Sequence, residues 1–154
     1  MSATDDLVTA NASAPWTPID DARPQQRTAI VTCMDARIDT AAVFGTSPGE
    51  VHVLRNAGGV VTDDVERSLA VSQRALGTTE VLVVHHTRCG MSGDPAEKAA
   101  GLPPAPFDWG FFADVEEDVR AGVARLRASQ LLLHTDAIRG FVLDIGTGRL
   151  AEVR

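Results

Sequence analysis

A chain of 154 residues with 44% hydrophobic and 23% charged residues has room for one domain with a real core. Its formal net charge of −7 argues against nucleic acid or an anionic membrane surface as a partner. The opening MSATDDLVTANASAPWTP has neither region of a secretory signal, and no apolar run approaches the roughly 20 residues that span a membrane, so the protein reads as cytoplasmic.

Residues 1–25, rich in Ala, Thr, Asp and Pro, read as an arm or a frayed helix, and 26–154 as the domain proper. TAIVT (28–32) is the first predicted strand and leads into CMDAR. The turn signal SPG (47–49) introduces a second, EVHVL (50–54). Residues 62–77 predict a helix. Thr62 or Asp63 caps it, Val65, Leu69 and Leu76 fall near one face, and Gly77 stops it. EVLVV (80–84) is the third strand. The Pro/Gly-rich stretch 92–110 reads as a surface excursion. A second helix is predicted over 113–128, with Val115, Val119, Val123 and Leu126 on one stripe. GFVLDI (140–145), closed by GTG, is the fourth strand, with RLAEV after it.

Wholly apolar strands alternating with helices predict an α/β fold, a single domain with a largely parallel β-sheet flanked by helices. In such sheets, sites form beyond the carboxyl ends of strands. Cys33, Asp35 and Arg37 follow the first strand, Arg55 and Asn56 the second, His86 and Cys89 the third.

Cys33, His86 and Cys89 form a set of two sulfurs and one nitrogen, which suits a zinc ion with one open position. Spacing alone leaves another reading open, because a single H-x-x-C arises by chance and two thiols can simply be packed. Dithiol redox chemistry lacks a C-x-x-C pair. A phosphatase loop needs five residues between Cys and Arg, and only three separate Cys33 from Arg37. His85 neighbours His86 on a strand, so it is expected to face away from any metal. His52 is expected to pack, and His134 has no assigned role.

CMDARID (33–39), GEVHVLRNAGG (49–59) and HHTRCGM (85–91) together resemble the β-class carbonic anhydrases. That family's pattern runs C-x-D-x-R, then R-N, then H-x-x-C-G. The resemblance covers about 26–148 and is nearest to the compact bacterial and archaeal branch. It implies a Zn2+ cofactor held by Cys33, His86 and Cys89, and water activated by that zinc attacking CO2 to give bicarbonate. It implies a catalytic Asp35–Arg37 dyad, with Asp35 able to join the zinc in a second state. It also implies a homo-oligomer, dimer or tetramer. Gly58 and Gly59 are expected to let the backbone approach a small substrate. Arg88 departs from several compact relatives, which carry Asp there. Two alternatives stand beside CO2 hydration: hydrolysis of carbonyl sulfide or carbon disulfide on the same scaffold, and a catalytically silent zinc-binding module. Intact Asp35 and Arg37 argue against the last.

Overall fold

The computed structural model describes residues 2–154. Five strands form one sheet in the order β2-β1-β3-β4-β5. They are β1 (Thr28–Cys33), β2 (His52–Asn56), β3 (Glu80–His86), β4 (Ile138–Asp144) and β5 (Arg149–Val153). The first four run parallel, and β5 returns antiparallel along β4. The expected α/β fold is therefore the one observed.

Side chains alternate along β3 and seed a core on each face of the sheet. Val81 and Val83 point to one side, where Val65 and Leu69 of α3 (Asp63–Leu76) and Val119 and Leu126 of α5 (Val115–Arg127) cover them. Val84 points to the other side, towards Ile30, Phe112 and Leu143. The helix ends are those the side chains dictate. Thr62 accepts a hydrogen bond from Val65 N at the start of α3, and Gly77 closes it in the left-handed conformation.

Several details differ from the sequence reading, among them β3, which runs on to His86, and β4, which spans Ile138–Asp144. Strand β2 begins at His52, not at Glu50, because Glu50 is consumed by a turn. Its N–H donates to Ser47 O and its carboxylate accepts from Ser47 N. The excursion 92–110 contains a short helix, α4 (Pro95–Ala99), started by Asp94 and Pro95. Another short helix, α2 (Thr40–Phe44), follows β1 under the Asp39 cap. Both have five residues, too few for a hydrophobic period to register. The N-terminal arm opens with α1 (Ala3–Asn11), held by a reciprocal Ser2–Asp5 capping box, and none of its residues is buried.

Candidate metal centre

Strands β1 and β3 lie side by side and in parallel, so the residues at their carboxyl ends meet. Cys33 ends β1, His86 ends β3, and Cys89 follows on the next turn. One ligand atom from each lies within 4.8 Å of the others, and all three residues are buried. Among the described residues, no other set of three His, Cys or acidic side chains converges in this way.

The donor set fits zinc on three counts. The sulfurs of Cys33 and Cys89 are 3.9 Å apart. Two thiolates on a tetrahedral zinc, each about 2.3 Å from the ion, stand roughly 3.8 Å apart. The imidazole of His86 is oriented by the backbone: Nδ1 lies 3.0 Å from Thr87 O, which places the ring proton on Nδ1. Nε2 is then a lone pair, and it is buried without any hydrogen-bond partner. A buried acceptor left without a partner is rare in folded proteins, and a metal answers it. Burial lowers the pKa of His86, favouring the neutral, ligating form. Burial also pushes the Cys89 thiol up, so a cation is what would hold a thiolate there.

The loop carrying Cys89 is fixed from β4. Thr87 N donates to Leu143 O, and Thr87 Oγ1 accepts from Ile145 N. Arg88 is exposed and has a φ of 56°, a left-handed conformation. Met91 N donates to the sulfur of Cys89 at 3.5 Å.

Asp35 stands at the edge of the ligand set, its Oδ2 3.7 Å from His86 Nε2. Arg37 grips it twice, Nε to Oδ1 at 2.9 Å and Nη2 to Oδ2 at 2.6 Å, and Arg37 N adds a bond to Oδ1. These bonds hold the carboxyl well below the usual carboxylate range. In this conformation Asp35 belongs to the arginine pair and is not one of the three converging ligands.

Gly58 and Gly59 lie in the turn after β2, both at positive φ. A Cβ on Gly59 would sit 2.9 Å from Cys33 N and from the Thr32 carbonyl carbon. The room this glycine leaves is thus occupied by the backbone that carries Cys33. A Cβ on Gly58 would meet side chains of Val60, Met91 and Phe112.

His85 faces the opposite side of the sheet from His86, as strand alternation requires. Its Nε2 lies 2.7 Å from Asp118 Oδ2 of α5. His52 spans Ser72 Oγ and Ala22 O, fastening the arm to α3. His134 contributes backbone atoms to Gln73. A cleft of about 630 Å3 opens between the start of α3 and α5, lined by Val61, Phe107, Phe111 and Asp118 among others, but no ligand residue lines it. Sequence analysis placed Arg55 beside the site at the end of the second strand without naming its contacts; in the structure its guanidinium bonds the carbonyls of Cys33 and Asp35. The available signal was its place at the end of the strand adjoining CMDAR.

Residues 28–104 match the family model described as carbonic anhydrase. The chain is 43% identical to Beta-carbonic anhydrase 1 of Mycobacterium bovis, with 99% of each covered. It is 31% identical to the carbon disulfide hydrolase of an Acidianus strain, covering 80% of this chain and 75% of that protein. Among solved structures, the carbonic anhydrase of Streptococcus mutans superposes with a TM-score of 0.89 at 40% identity, over 100% of this chain and 99% of that one.

Proposed function

The chain belongs to the β-carbonic anhydrase family, and from that premise we propose how its own residues carry out the reversible hydration of CO2 to bicarbonate and a proton. One observation supports the assignment of residues above others: the buried, partnerless Nε2 of His86 faces two thiols 3.9 Å apart. Cys33, His86 and Cys89 hold the zinc, which when bound supplies a Lewis acid that makes water nucleophilic near neutral pH.

Asp35 and Arg37 do the orienting. With both oxygens engaged by Arg37, Asp35 stays ionised and can act only as an acceptor. It accepts the proton of the attacking hydroxyl in a hydrogen bond and so aims a lone pair at the carbon of CO2. Arg37 keeps the carboxylate in one rotamer, which confines the hydroxyl to one direction. Gly58 and Gly59 serve the substrate indirectly, by letting the 55–59 turn lie against the loop that presents Cys33 and Asp35. In a second state, Arg37 turns away and the Asp35 carboxylate joins the three ligands. X-ray absorption showing unchanged coordination between pH 6 and 9 would exclude that state.

Identity of 43% over nearly the whole chain favours CO2 over the sulfur substrates, whose named relative is more distant and less fully covered. The arm, residues 1–25, exposes Leu7, Val8 and Trp16, each more than two-thirds accessible. A second copy of this chain covers them, making a homodimer at least, and 26–154 form the zinc-binding body. Among the described residues, no helix is long and apolar enough to cross a membrane, and we place the enzyme in the cytoplasm.

The decisive experiment is stopped-flow CO2 hydration beside a headspace assay for carbonyl sulfide and carbon disulfide, with zinc counted per chain. The expected result is one zinc and CO2 hydration, both lost in Cys33→Ala and His86→Ala. Full zinc and activity in either variant rejects the ligand assignment.

A further inference from the structure

The guanidinium of Arg55 points back across the sheet edge onto the loop that follows β1. Its Nε donates to Cys33 O at 2.9 Å and its Nη2 to Asp35 O at 2.7 Å. Those two donors lie on one edge of a rigid planar fork, so the two carbonyls are fixed relative to one another as well as to β2. One of the bridged residues is a zinc ligand and the other is the acid of the dyad. Met34, between them, is exposed and fixes nothing by packing. Its N–H makes one more bond to β2, to Asn56 O at 2.8 Å.

Arg55 has no carboxylate partner among the ion pairs of the described residues. It is exposed. Its hydrogen-bonding is spent on these two carbonyls, both within the three residues that must present a sulfur and a carboxylate at once. It touches neither Sγ of Cys33 nor the carboxylate of Asp35.

We propose that Arg55 is a positioning residue for the reaction: its guanidinium clamps the backbone on both sides of Met34, setting the Asp35 carboxylate against the zinc ligands. The proposal rests on the functional reading above. Without the clamp, the Cys33 carbonyl loses this donor, the Asp35 carbonyl keeps only Ile38 N, and the Met34 N–H bond to Asn56 O is what still ties the loop to β2. A drift of about 1 Å at a reacting group costs up to a hundredfold in rate. Lysine cannot replace the fork, because one ammonium on a flexible stem does not hold two carbonyls in fixed relation.

The test uses full-length zinc-loaded wild type, Arg55→Lys and Arg55→Ala. Zinc per chain, the rate of zinc release to a chromogenic chelator, kcat and KM for CO2, and thermal unfolding are measured, each with and without methylguanidinium at matched ionic strength. One zinc per chain is expected in all three. In Arg55→Ala, kcat falls about tenfold or more with KM within about twofold, and zinc leaves about tenfold faster. Methylguanidinium restores part of both in Arg55→Ala and does nothing for the wild type, while Arg55→Lys falls between. Wild-type kcat and zinc release in Arg55→Ala would overturn the proposal. So would parallel losses of kcat and thermal stability in both variants without rescue, which mark a role in folding alone. Should Arg55→Ala fail to fold, Arg55→Lys decides: wild-type kcat and zinc release overturn the clamp, and lowered kcat with unchanged unfolding supports it. Absence of zinc from the wild type would sink the functional reading and is read separately from these ratios.

Discussion

The backbone carbonyl of Arg88 accepts a hydrogen bond from Nη2 of Arg37 at 3.0 Å. The same Nη2 binds Asp35 Oδ2, so one nitrogen links the turn between His86 and Cys89 to the acid beside them. The carbonyl is aimed there because Arg88 is left-handed, with a φ of 56°. Arg88 thus has a backbone role at the site.

If conformation at Arg88 is what matters, side-chain shape there should decide the outcome. Arg88→Gly relieves the left-handed backbone and should leave activity within about twofold of wild type. Arg88→Val places a β-branched residue at positive φ, at a cost of about 1–3 kcal/mol in urea unfolding. Its kcat should fall as well, since Arg37 loses its second anchor.

Asp35→Asn keeps the size of the side chain but removes the charge and the paired acceptance from Arg37. CO2 hydration should drop roughly 10- to 100-fold, the usual cost of losing a group that orients a metal site. Zinc measured by atomic absorption should stay at one per chain. Loss of zinc alongside activity would assign Asp35 to metal retention instead.

Gly59 and Gly77 both have φ values near 80°, but only Gly59 is crowded. At Gly77 nothing lies within 4 Å of an added Cβ, whereas at Gly59 the Cys33 and Thr32 backbone lies 2.9 Å away. Gly77→Ala should therefore cost about 1 kcal/mol, the backbone penalty alone. Gly59→Ala should cost about 2–4 kcal/mol in the same urea titration, strain and clash together, and should weaken zinc retention. Equal costs at the two positions would refute the close packing of the turn on Cys33.

Asp144 closes the turn between β4 and β5, and backbone N–H groups of Thr147 and Gly146 hold its carboxyl below the ordinary value. A carboxyl whose folded pKa is depressed stabilises the fold above its unfolded pKa of about 3.9. That contribution is lost as pH falls through the folded value. Asp144→Asn keeps an acceptor but not the charge. It should be less stable than wild type at pH 7, and chemical denaturation from pH 7 down to 3 should show the gap closing. A gap that does not narrow at all below pH 4 would assign the loss to geometry.

The fold was legible because period and punctuation agree in the long elements. Val65, Leu69 and the closing Gly77 mark α3, and the unbroken TAIVT marks an interior parallel strand. Cys33, His86 and Cys89 were legible as a set because each follows a readable strand, so topology could bring them together. Arg55 was legible as a residue at the site's edge, but its partners were not, because two hydrogen bonds to backbone carbonyls leave no trace in residue type. The same holds for Arg88, whose carbonyl acts irrespective of the side chain written there. Side-chain alternation did separate His85 from His86, although what His85 meets, Asp118 of α5, lies 33 positions away and has no local signature.

Cys33 and Cys89 are 56 positions apart, and nothing brings them together until β1 and β3 have paired in register. Zinc bound across them closes the intervening chain into a loop that includes all of β2 and α3. A covalent cross-link over a loop of that size removes on the order of 4 kcal/mol of disorder from the unfolded chain. The metal then acts as a thermodynamic rivet as well as a reagent: stripping it should lower the unfolding temperature, and free zinc during refolding should raise the yield of native protein.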